Sequence, residues 1–336
     1  MRPASVYRKY GYYLLKFGTV RKVINLLHNR LEHRLNRTLL SSHPYKVTID
    51  TGSFCNLQCP GCHTGIKHQE MLTPAFLKPE AFKFLFNQVK DHVFSIALYN
   101  WGEPFLNKNI FEMIAHATAS RVGTTIHTNF NHFNEKMARK TVESGLTHIY
   151  LSIDGATQDT YVKYRQGGNL DTVLDNLKTM LQVRREMKSK FPLITWKYLI
   201  FEHNRHEVEA ARKMSIEMGC DDFETFVGSP HLCDIYDEAG DYKNASRDMR
   251  DFPDTCSSLW SSIYIHSDGT VFPCSLAFRQ KESFGNLFEK PYSEIRNNKP
   301  YTSARSMFSE KSNKTEIPWP CRGCKYAMKC KAMITD

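Results

Sequence analysis

Three closely spaced cysteines near residue 60 constrain this chain more than any other feature of its sequence. In the segment TGSFCNLQCPGCHTG, residues 51–65, Cys55, Cys59 and Cys62 form a C-x3-C-x2-C pattern. A structural zinc site takes four protein ligands in a closed tetrahedron, and three thiols do not complete one. Three thiolates on a cubane iron–sulfur cluster leave one iron with an open coordination position, where chemistry can occur. The spacing therefore favours a reactive cluster.

The other cysteines also indicate metal ligands rather than disulfides. No apolar run approaches the length of a membrane span, and the first residues do not resemble a secretory signal, so we expect a cytoplasmic protein. That compartment keeps thiols reduced. A second group of cysteines follows residue 250, and two more lie between the groups: Cys256, Cys274, Cys321, Cys324 and Cys330, then Cys220 and Cys233.

Short apolar runs alternate with longer amphipathic stretches over residues 45–228, which predicts an α/β fold with parallel strands. Because six strands are predicted, we expect a partial (β/α)6 barrel followed by a small cysteine-rich α+β domain. The predicted strands are 46–50, 95–101, 123–129, 148–154, 194–201 and 222–228. The predicted units are a basic helical segment (1–44), the barrel (45–228), a linker or lid (229–252) and the cysteine-rich domain (253–336).

Polar residues follow four of the predicted strands at the point where each strand ends. In barrels of this kind, functional residues lie on the loops at the carboxyl ends of the strands. The candidates, taken strand by strand, are Cys55, Cys59 and Cys62, then Gly102 and Glu103, then Asn129, then Ser152 and Asp154.

The net charge of +10 is concentrated partly in the N-terminal segment, where Lys and Arg alternate with apolar residues at helical spacing. This segment either packs its apolar stripe on the main domain or contacts an anionic membrane or a phosphorylated substrate. No nucleic-acid recognition motif accompanies the charge, so we expect no nucleic-acid partner.

The C-x3-C-x2-C motif after the first strand resembles that of the radical S-adenosylmethionine (SAM) superfamily, with Gly61 where many members have an aromatic residue. The resemblance implies that the cysteines hold a [4Fe–4S] cluster whose fourth iron binds SAM. It also implies that one electron from the cluster cleaves SAM to a 5′-deoxyadenosyl radical, which abstracts a hydrogen atom from the substrate.

Two further segments resemble the family's SAM-binding motifs. YNWGEPFLN is similar to a Gly-Gly-Glu motif, with Trp101 in place of the first Gly and with Gly102 and Glu103 at the other two positions. The resemblance implies that Glu103 accepts hydrogen bonds from the SAM ammonium group. In YLSIDGATQDTYVKYRQGG, the resemblance implies that Ser152 contacts the ribose and Arg165 the SAM carboxylate. Asp154 either faces the cavity, where it binds substrate or takes a proton, or serves as a turn residue. Asn129 is open between a SAM contact and a structural role.

The C-terminal cysteines resemble the SPASM and twitch auxiliary-cluster domains of the same superfamily. A full SPASM domain needs later cysteines that are absent here, so the resemblance implies a single auxiliary [4Fe–4S] cluster, as in one-cluster enzymes of aminoglycoside pathways. Its ligands would be Cys256, Cys274, Cys321 and Cys324, with Cys330 left over as a substitute ligand or a nearby thiol. Two cysteine pairs are also typical of zinc sites, and that alternative stays open.

The resemblance implies a radical SAM oxidoreductase of the dehydrogenase or epimerase type. Our first hypothesis is oxidation of a hydroxylated, carbohydrate-like substrate, which could carry a phosphate or a lipid. The auxiliary cluster would be the electron acceptor, and a flavodoxin or ferredoxin would be the reductant. The alternatives are redox-neutral epimerisation, with Cys233 returning a hydrogen atom, and modification of a ribosomal peptide. A non-catalytic iron–sulfur or zinc protein that binds nucleic acid is a further alternative from another class.

Overall fold

The structure is a computed structural model that describes residues 4–67, 74–228 and 255–309, together with residues 318, 320, 321 and 324, and side chains from residue 11 onward. The helices are α1 Ala4–Phe17, α2 Val20–Arg34, α3 Pro79–Asn87, α4 Ile110–Ala119, α5 Glu135–Glu143, α6 Gln158–Tyr164, α7 Leu170–Glu186, α8 Val208–Met218, α9 Ser258–Ser261, α10 Tyr292–Ile295 and α11 Lys299–Ser306. The strands are β1 Lys46–Ile49, β2 Ser95–Ala97, β3 Gly123–Thr128, β4 His148–Ser152, β5 Leu193–Ile200, β6 Asp222–Val227, β7 Ser262–Ile265, β8 Thr270–Phe272 and β9 Gly285–Asn286.

The first six strands form a parallel sheet in sequential order, which confirms the predicted α/β partial barrel. Each crossover contains a helix, because a parallel pair cannot be joined by a tight turn. Local signals fix several helix ends. The side chain of Asn169 accepts a hydrogen bond from Thr172 N at the start of α7, and Gly219 ends α8 at a φ of 92°.

One face of this sheet packs against the crossover helices and forms the hydrophobic core. Ile126, Ile149 and Trp196, on β3, β4 and β5, are fully buried on that face. Because side chains alternate between the two faces of a strand, the residues next to Ile126, Ile149 and Trp196 in their strands point to the opposite face, inside the partial barrel. That inner face is where the loops from the carboxyl ends of the strands converge.

The C-terminal strands extend the same sheet. β7 pairs in parallel with β1, with Ile265 opposite Ile49, and β8 and β9 follow as antiparallel strands. The cysteine-rich region is therefore joined to the barrel by backbone hydrogen bonds. The predicted linker or lid, 229–252, lies outside the described residues, and the predicted domain boundaries stay predictions.

The two N-terminal helices pack in opposite ways. α1 buries the aromatic side chains Tyr13 and Phe17, which lie against Gly123 at the start of β3. α2 instead buries polar residues and exposes most of its apolar ones. Of the N-terminal segment, α1 therefore packs on the sheet by apolar side chains and α2 does not. No helix in the described part of the chain is long and apolar enough to cross a membrane.

Candidate active site

The loop after β1 brings the three cysteines of the first motif together at the carboxyl end of the sheet. Cys59 is buried, Cys55 and Cys62 are half-buried, and the three pack in one small cluster. Asn129 Nδ2 lies 3.6 Å from Cys55 Sγ, and Arg165 Nη1 lies 3.8 Å from Cys59 Sγ. Gly61 has a φ of 74°, a left-handed conformation that an aromatic residue adopts only with strain, which explains the departure noted in the sequence.

The chemistry of these thiols fits iron ligands. Burial raises the pKa of Cys55 to about 12, with smaller contributions from Glu103 and the other two thiols. Burial also raises the pKa of Cys59. Iron binding displaces the thiol proton and satisfies the thiolate. Among the described residues no three such side chains converge on a point as ligands of one ion would, whereas a cubane places each thiolate on a different iron.

Gly102 allows the loop after β2 to lie directly against the cysteine loop. A Cβ at Gly102 would lie 1.7 Å from the carbonyl oxygen of Gly52 and 2.9 Å from that of Phe54. The next residue, Glu103, donates its backbone N–H to the same Phe54 carbonyl at 2.8 Å. Only glycine permits this approach, so the two predicted motifs form one surface.

The Glu103 carboxylate is buried beneath that surface. Thr128 Oγ1 donates to its Oε1 and the Asn129 backbone N–H to its Oε2, each at 2.7 Å. Burial nevertheless raises the pKa of Glu103 to about 7, because these hydrogen bonds only partly offset the loss of water. A cationic group beside the carboxylate would favour its charged form, so the site fits the ammonium group of SAM.

Asp154 and Arg165 form a buried ion pair next to the cysteines. Arg165 Nε lies 2.6 Å from Asp154 Oδ2, and the two side chains are 14% and 0% exposed. The other carboxylate oxygen of Asp154 accepts a hydrogen bond from Leu199 N at 2.6 Å. Both carboxylate oxygens of Asp154 therefore have partners within the protein, and its predicted role stays a prediction.

Ser152 ends β4 on the inner face, and its register partner on β5 is Lys197. Sequence reasoning missed this lysine. The available signal was a single charged residue inside the apolar run ITWKYLIF. Burial lowers the pKa of Lys197, and nearby Arg165 lowers it further. A lysine with a lowered pKa thus lies beside a predicted SAM contact.

A row of rings continues across the same inner face, and it too was not predicted. Tyr99 stacks on His127 with ring centroids 3.9 Å apart, and His127 contacts Tyr150 at 4.4 Å. Burial raises the pKa of Tyr99, with a further contribution from Tyr264 on β7. Burial and then Cys274 raise the pKa of Tyr264 in turn. The row therefore leads from the inner face to the second cysteine group.

Four cysteines of the second group lie close to one another in a buried site. Burial, with smaller contributions from Cys256 and Cys324, raises the pKa of Cys274 to about 12. Burial followed by the other three thiols raises the pKa of Cys321. Burial also raises the pKa of Cys256. Four neighbouring thiols fit the ligands of one cluster. Cys233 and Cys330 lie outside the described residues.

Two direct contacts join the cysteine loop to the C-terminal region. Ser53 Oγ lies 2.7 Å from His266 Nε2 and donates to the buried Asp50 at 2.9 Å. His63, next to Cys62, stacks on Phe278 with ring centroids 3.7 Å apart. The two cysteine groups are thus held in a fixed relation.

Comparison with known families agrees with this geometry. The family model described as "Radical SAM superfamily" matches residues 49–195, and the one described as "Iron-sulfur cluster-binding domain", SPASM, matches residues 256–325. The chain belongs to the radical SAM superfamily. As a radical SAM enzyme with a SPASM domain, it uses SAM and [4Fe–4S] clusters, and the zinc alternative for the C-terminal cysteines is set aside.

Characterised radical SAM relatives are distant in sequence. The chain is 29% identical to Fe-coproporphyrin III synthase of Methanosarcina barkeri over a segment that covers 48% of this chain. That segment spans only 40% of the synthase. It is 22% identical to PqqA peptide cyclase of Xanthomonas axonopodis pv. citri, over 84% of this chain and 80% of the cyclase.

Solved structures share the fold over most of the chain. SuiB of Streptococcus suis bound to its precursor peptide SuiA superposes with a TM-score of 0.62 at 16% identity, over 95% of this chain and 79% of SuiB. BtrN in complex with AdoMet and 2-DOIA superposes with a TM-score of 0.51 at 17% identity, over 81% of this chain and 89% of BtrN.

Proposed function

We propose that this radical SAM enzyme oxidises a hydroxylated, carbohydrate-like substrate. When bound, the first cluster and SAM supply a 5′-deoxyadenosyl radical, and the auxiliary cluster supplies an electron acceptor. The substrate loses a hydrogen atom from its carbinol carbon, a proton from the hydroxyl group and one electron, so that a carbinol becomes a carbonyl. One SAM is consumed for each product molecule.

The position of Tyr264 is the observation that carries this proposal. Tyr264 lies on β7, in register with Thr48 of β1, and packs in one hydrophobic cluster with Cys274. The second cysteine group is therefore close to the inner face of the barrel. An auxiliary cluster at that place would be close enough to a substrate radical to accept its electron. A purely structural cluster would not need to lie near the substrate.

Lys197 is the proposed base. It lies on the inner face beside Ser152, and a lowered pKa leaves a larger neutral fraction able to accept the hydroxyl proton. Tyr99, His127 and Tyr150 offer ring faces and polar edges, which suit a sugar-like ring with hydroxyl groups.

We assign the remaining site residues as follows. The first cluster is held by Cys55, Cys59 and Cys62 and the auxiliary cluster by Cys256, Cys274, Cys321 and Cys324. Gly102, Glu103, Asn129, Ser152 and Arg165 form the SAM site. Asp154 is a positioning residue, because its carboxylate is fully engaged by Arg165 and Leu199. The reductant is proposed to be a flavodoxin or ferredoxin.

A peptide substrate is the second candidate. PqqA peptide cyclase matches 84% of this chain, and SuiB, whose structure includes a precursor peptide, shares its fold. Epimerisation of either substrate class would need a hydrogen donor, for which Cys233 remains the candidate.

The test incubates anaerobically reconstituted enzyme with SAM, dithionite and either a panel of aminocyclitols and nucleotide sugars or a panel of peptides, in deuterated buffer. Oxidation predicts one 5′-deoxyadenosine per carbonyl product and no deuterium at the reacting carbon. Deuterium in an unoxidised sugar would establish epimerisation instead. Turnover with peptides alone would replace the carbohydrate assignment.

A further inference from the structure

Helix α2 presents a continuous apolar stripe to solvent. The stripe consists of Val20, Ile24, Leu27, Leu31 and Leu35, which are 77%, 61%, 60%, 53% and 54% exposed. Their spacing of three and four residues places them on one side of the helix and its C-terminal end. Five large aliphatic side chains exposed in a row form a patch that a free surface does not explain.

The opposite face of α2 fixes this orientation with polar contacts to residues that lie shortly before three of the strands. Lys22 Nζ donates to Arg121 O, before β3, at 2.8 Å. Asn25 Nδ2 donates at 3.1 Å to His43 O, before β1. Asn29 Nδ2 donates at 2.7 Å to Trp260 O, before β7.

Rotating α2 to bury the stripe would leave these buried carbonyl groups without donors. The outward direction of the stripe is therefore built into the packing of the helix. Its contacts also place α2 across the amino ends of the strands, at the end of the barrel opposite to the cysteine loop.

The charges around the stripe are almost all positive. Arg30, Arg34 and Arg37 are exposed along α2 and just beyond it. The acid of α2, Glu32, is buried and accepts hydrogen bonds from Ser41 and Ser42. Residues 1–44 contain nine Lys and Arg against one acid, which leaves eight of the net ten positive charges in this segment.

We propose that the stripe of α2 binds the surface of an anionic lipid bilayer, with its side chains in the acyl boundary and the flanking arginines at the headgroups. An apolar stripe flanked by cations, with no exposed acid on the helix, matches such a surface. A second copy is a poorer occupant, since a symmetric contact would bring the arginines of both helices together. Because α2 lies at the amino ends of the strands, the bound enzyme keeps its active-site loops open to the aqueous phase.

The test is flotation of the reconstituted full-length enzyme with vesicles of phosphatidylglycerol and phosphatidylcholine, and with vesicles of phosphatidylcholine alone. We expect binding to the mixed vesicles that weakens with salt. The Ile24→Asp/Leu31→Asp variant should lose this binding. The control, Ile216→Asp, alters a 68% exposed residue on α8 and should retain it. Arg30→Gln and Arg34→Gln should each weaken binding about fivefold, which corresponds to about 1 kcal/mol for one charge.

Iron content and circular dichroism of each variant establish that it is folded, so that a loss of binding is interpretable. Absence of binding to anionic vesicles by the folded wild type would overturn the proposal, as would equal binding by the Ile24→Asp/Leu31→Asp variant. A dimer that this variant converts to a monomer, without vesicle binding, would assign the stripe to a second copy. None of these outcomes depends on the identity of the substrate.

Discussion

Replacing Asp154 by Asn would remove the negative charge from the buried ion pair with Arg165. Breaking a buried pair by neutralising one partner typically costs about 3–5 kcal/mol, because the remaining charge stays desolvated. Asn can still accept the hydrogen bond from Leu199 N, so we expect a loss near the lower end, about 3 kcal/mol. In a chain of this size that corresponds to a fall in Tm of roughly 4 °C.

The same substitution should affect SAM binding more than the chemical step. Arg165 is held beside Cys59 by Asp154, so its guanidinium would lose the orientation needed to bind a carboxylate. We therefore expect KM for SAM to rise by about tenfold or more, with a smaller change in kcat, in an assay of 5′-deoxyadenosine formation.

The matched control is Asp175→Asn, which removes an exposed pair with Lys178 at 2.9 Å. Exposed pairs contribute about 0–1 kcal/mol, so neither Tm nor KM should change appreciably. An Asp154→Asn variant with unchanged Tm and unchanged KM but a large loss in kcat would refute the positioning role. Asp154 would then act directly on the substrate.

Three further predictions concern other parts of the site. Gly102→Ala should prevent assembly of the first cluster, because its Cβ would lie 1.7 Å from Gly52 O, and iron analysis should show the loss. The control is Gly11→Ala, whose Cβ meets nothing within 4 Å and which should retain its iron. Lys197→Met should abolish carbonyl formation but not SAM cleavage. The oxidation rate of the wild type should rise with pH as Lys197 loses its proton. A Lys197→Met variant that still forms the carbonyl would exclude Lys197 as the base. His266→Ala should destabilise the enzyme by about 1–3 kcal/mol in thermal unfolding, because Ser53 and the buried Asp50 lose a partner; an unchanged Tm would show that this contact does not couple the two regions.

Much of the barrel was predictable because its signals are local. Each of the six parallel strands is a short run of β-branched and aromatic residues bounded by turn residues, and each was placed correctly to within a few positions. The cysteine motif, Glu103 and Ser152 were placed near one another because parallel strands share a carboxyl edge.

Features that depend on contacts distant in sequence were not predictable in the same way. Periodicity indicated a helix in the N-terminal segment, but the carbonyl groups that bind Lys22, Asn25 and Asn29 belong to residues shortly before three different strands. Pairing of β7 with β1 joins residues more than 200 positions apart, and no local pattern specifies that pairing.

The chemistry of single residues showed the same limit. The Asp154–Gly155 pair was compatible with either a turn or a catalytic acid, and only the positions of Arg165 and Leu199 distinguish them. Lys197 was overlooked inside an apolar strand, although an isolated charge at such a position indicates a polar inner face.

The proposed oxidation requires a redox-active auxiliary cluster beside the inner face of the barrel. The most direct test is the iron, sulfide and zinc content, with EPR, of the anaerobically reconstituted Cys55→Ala/Cys59→Ala/Cys62→Ala variant. We predict about four irons with a cubane signal, held by the remaining thiols of the second group. Zinc in place of iron, or no metal at all, would contradict the account and remove the electron acceptor on which the proposed oxidation depends.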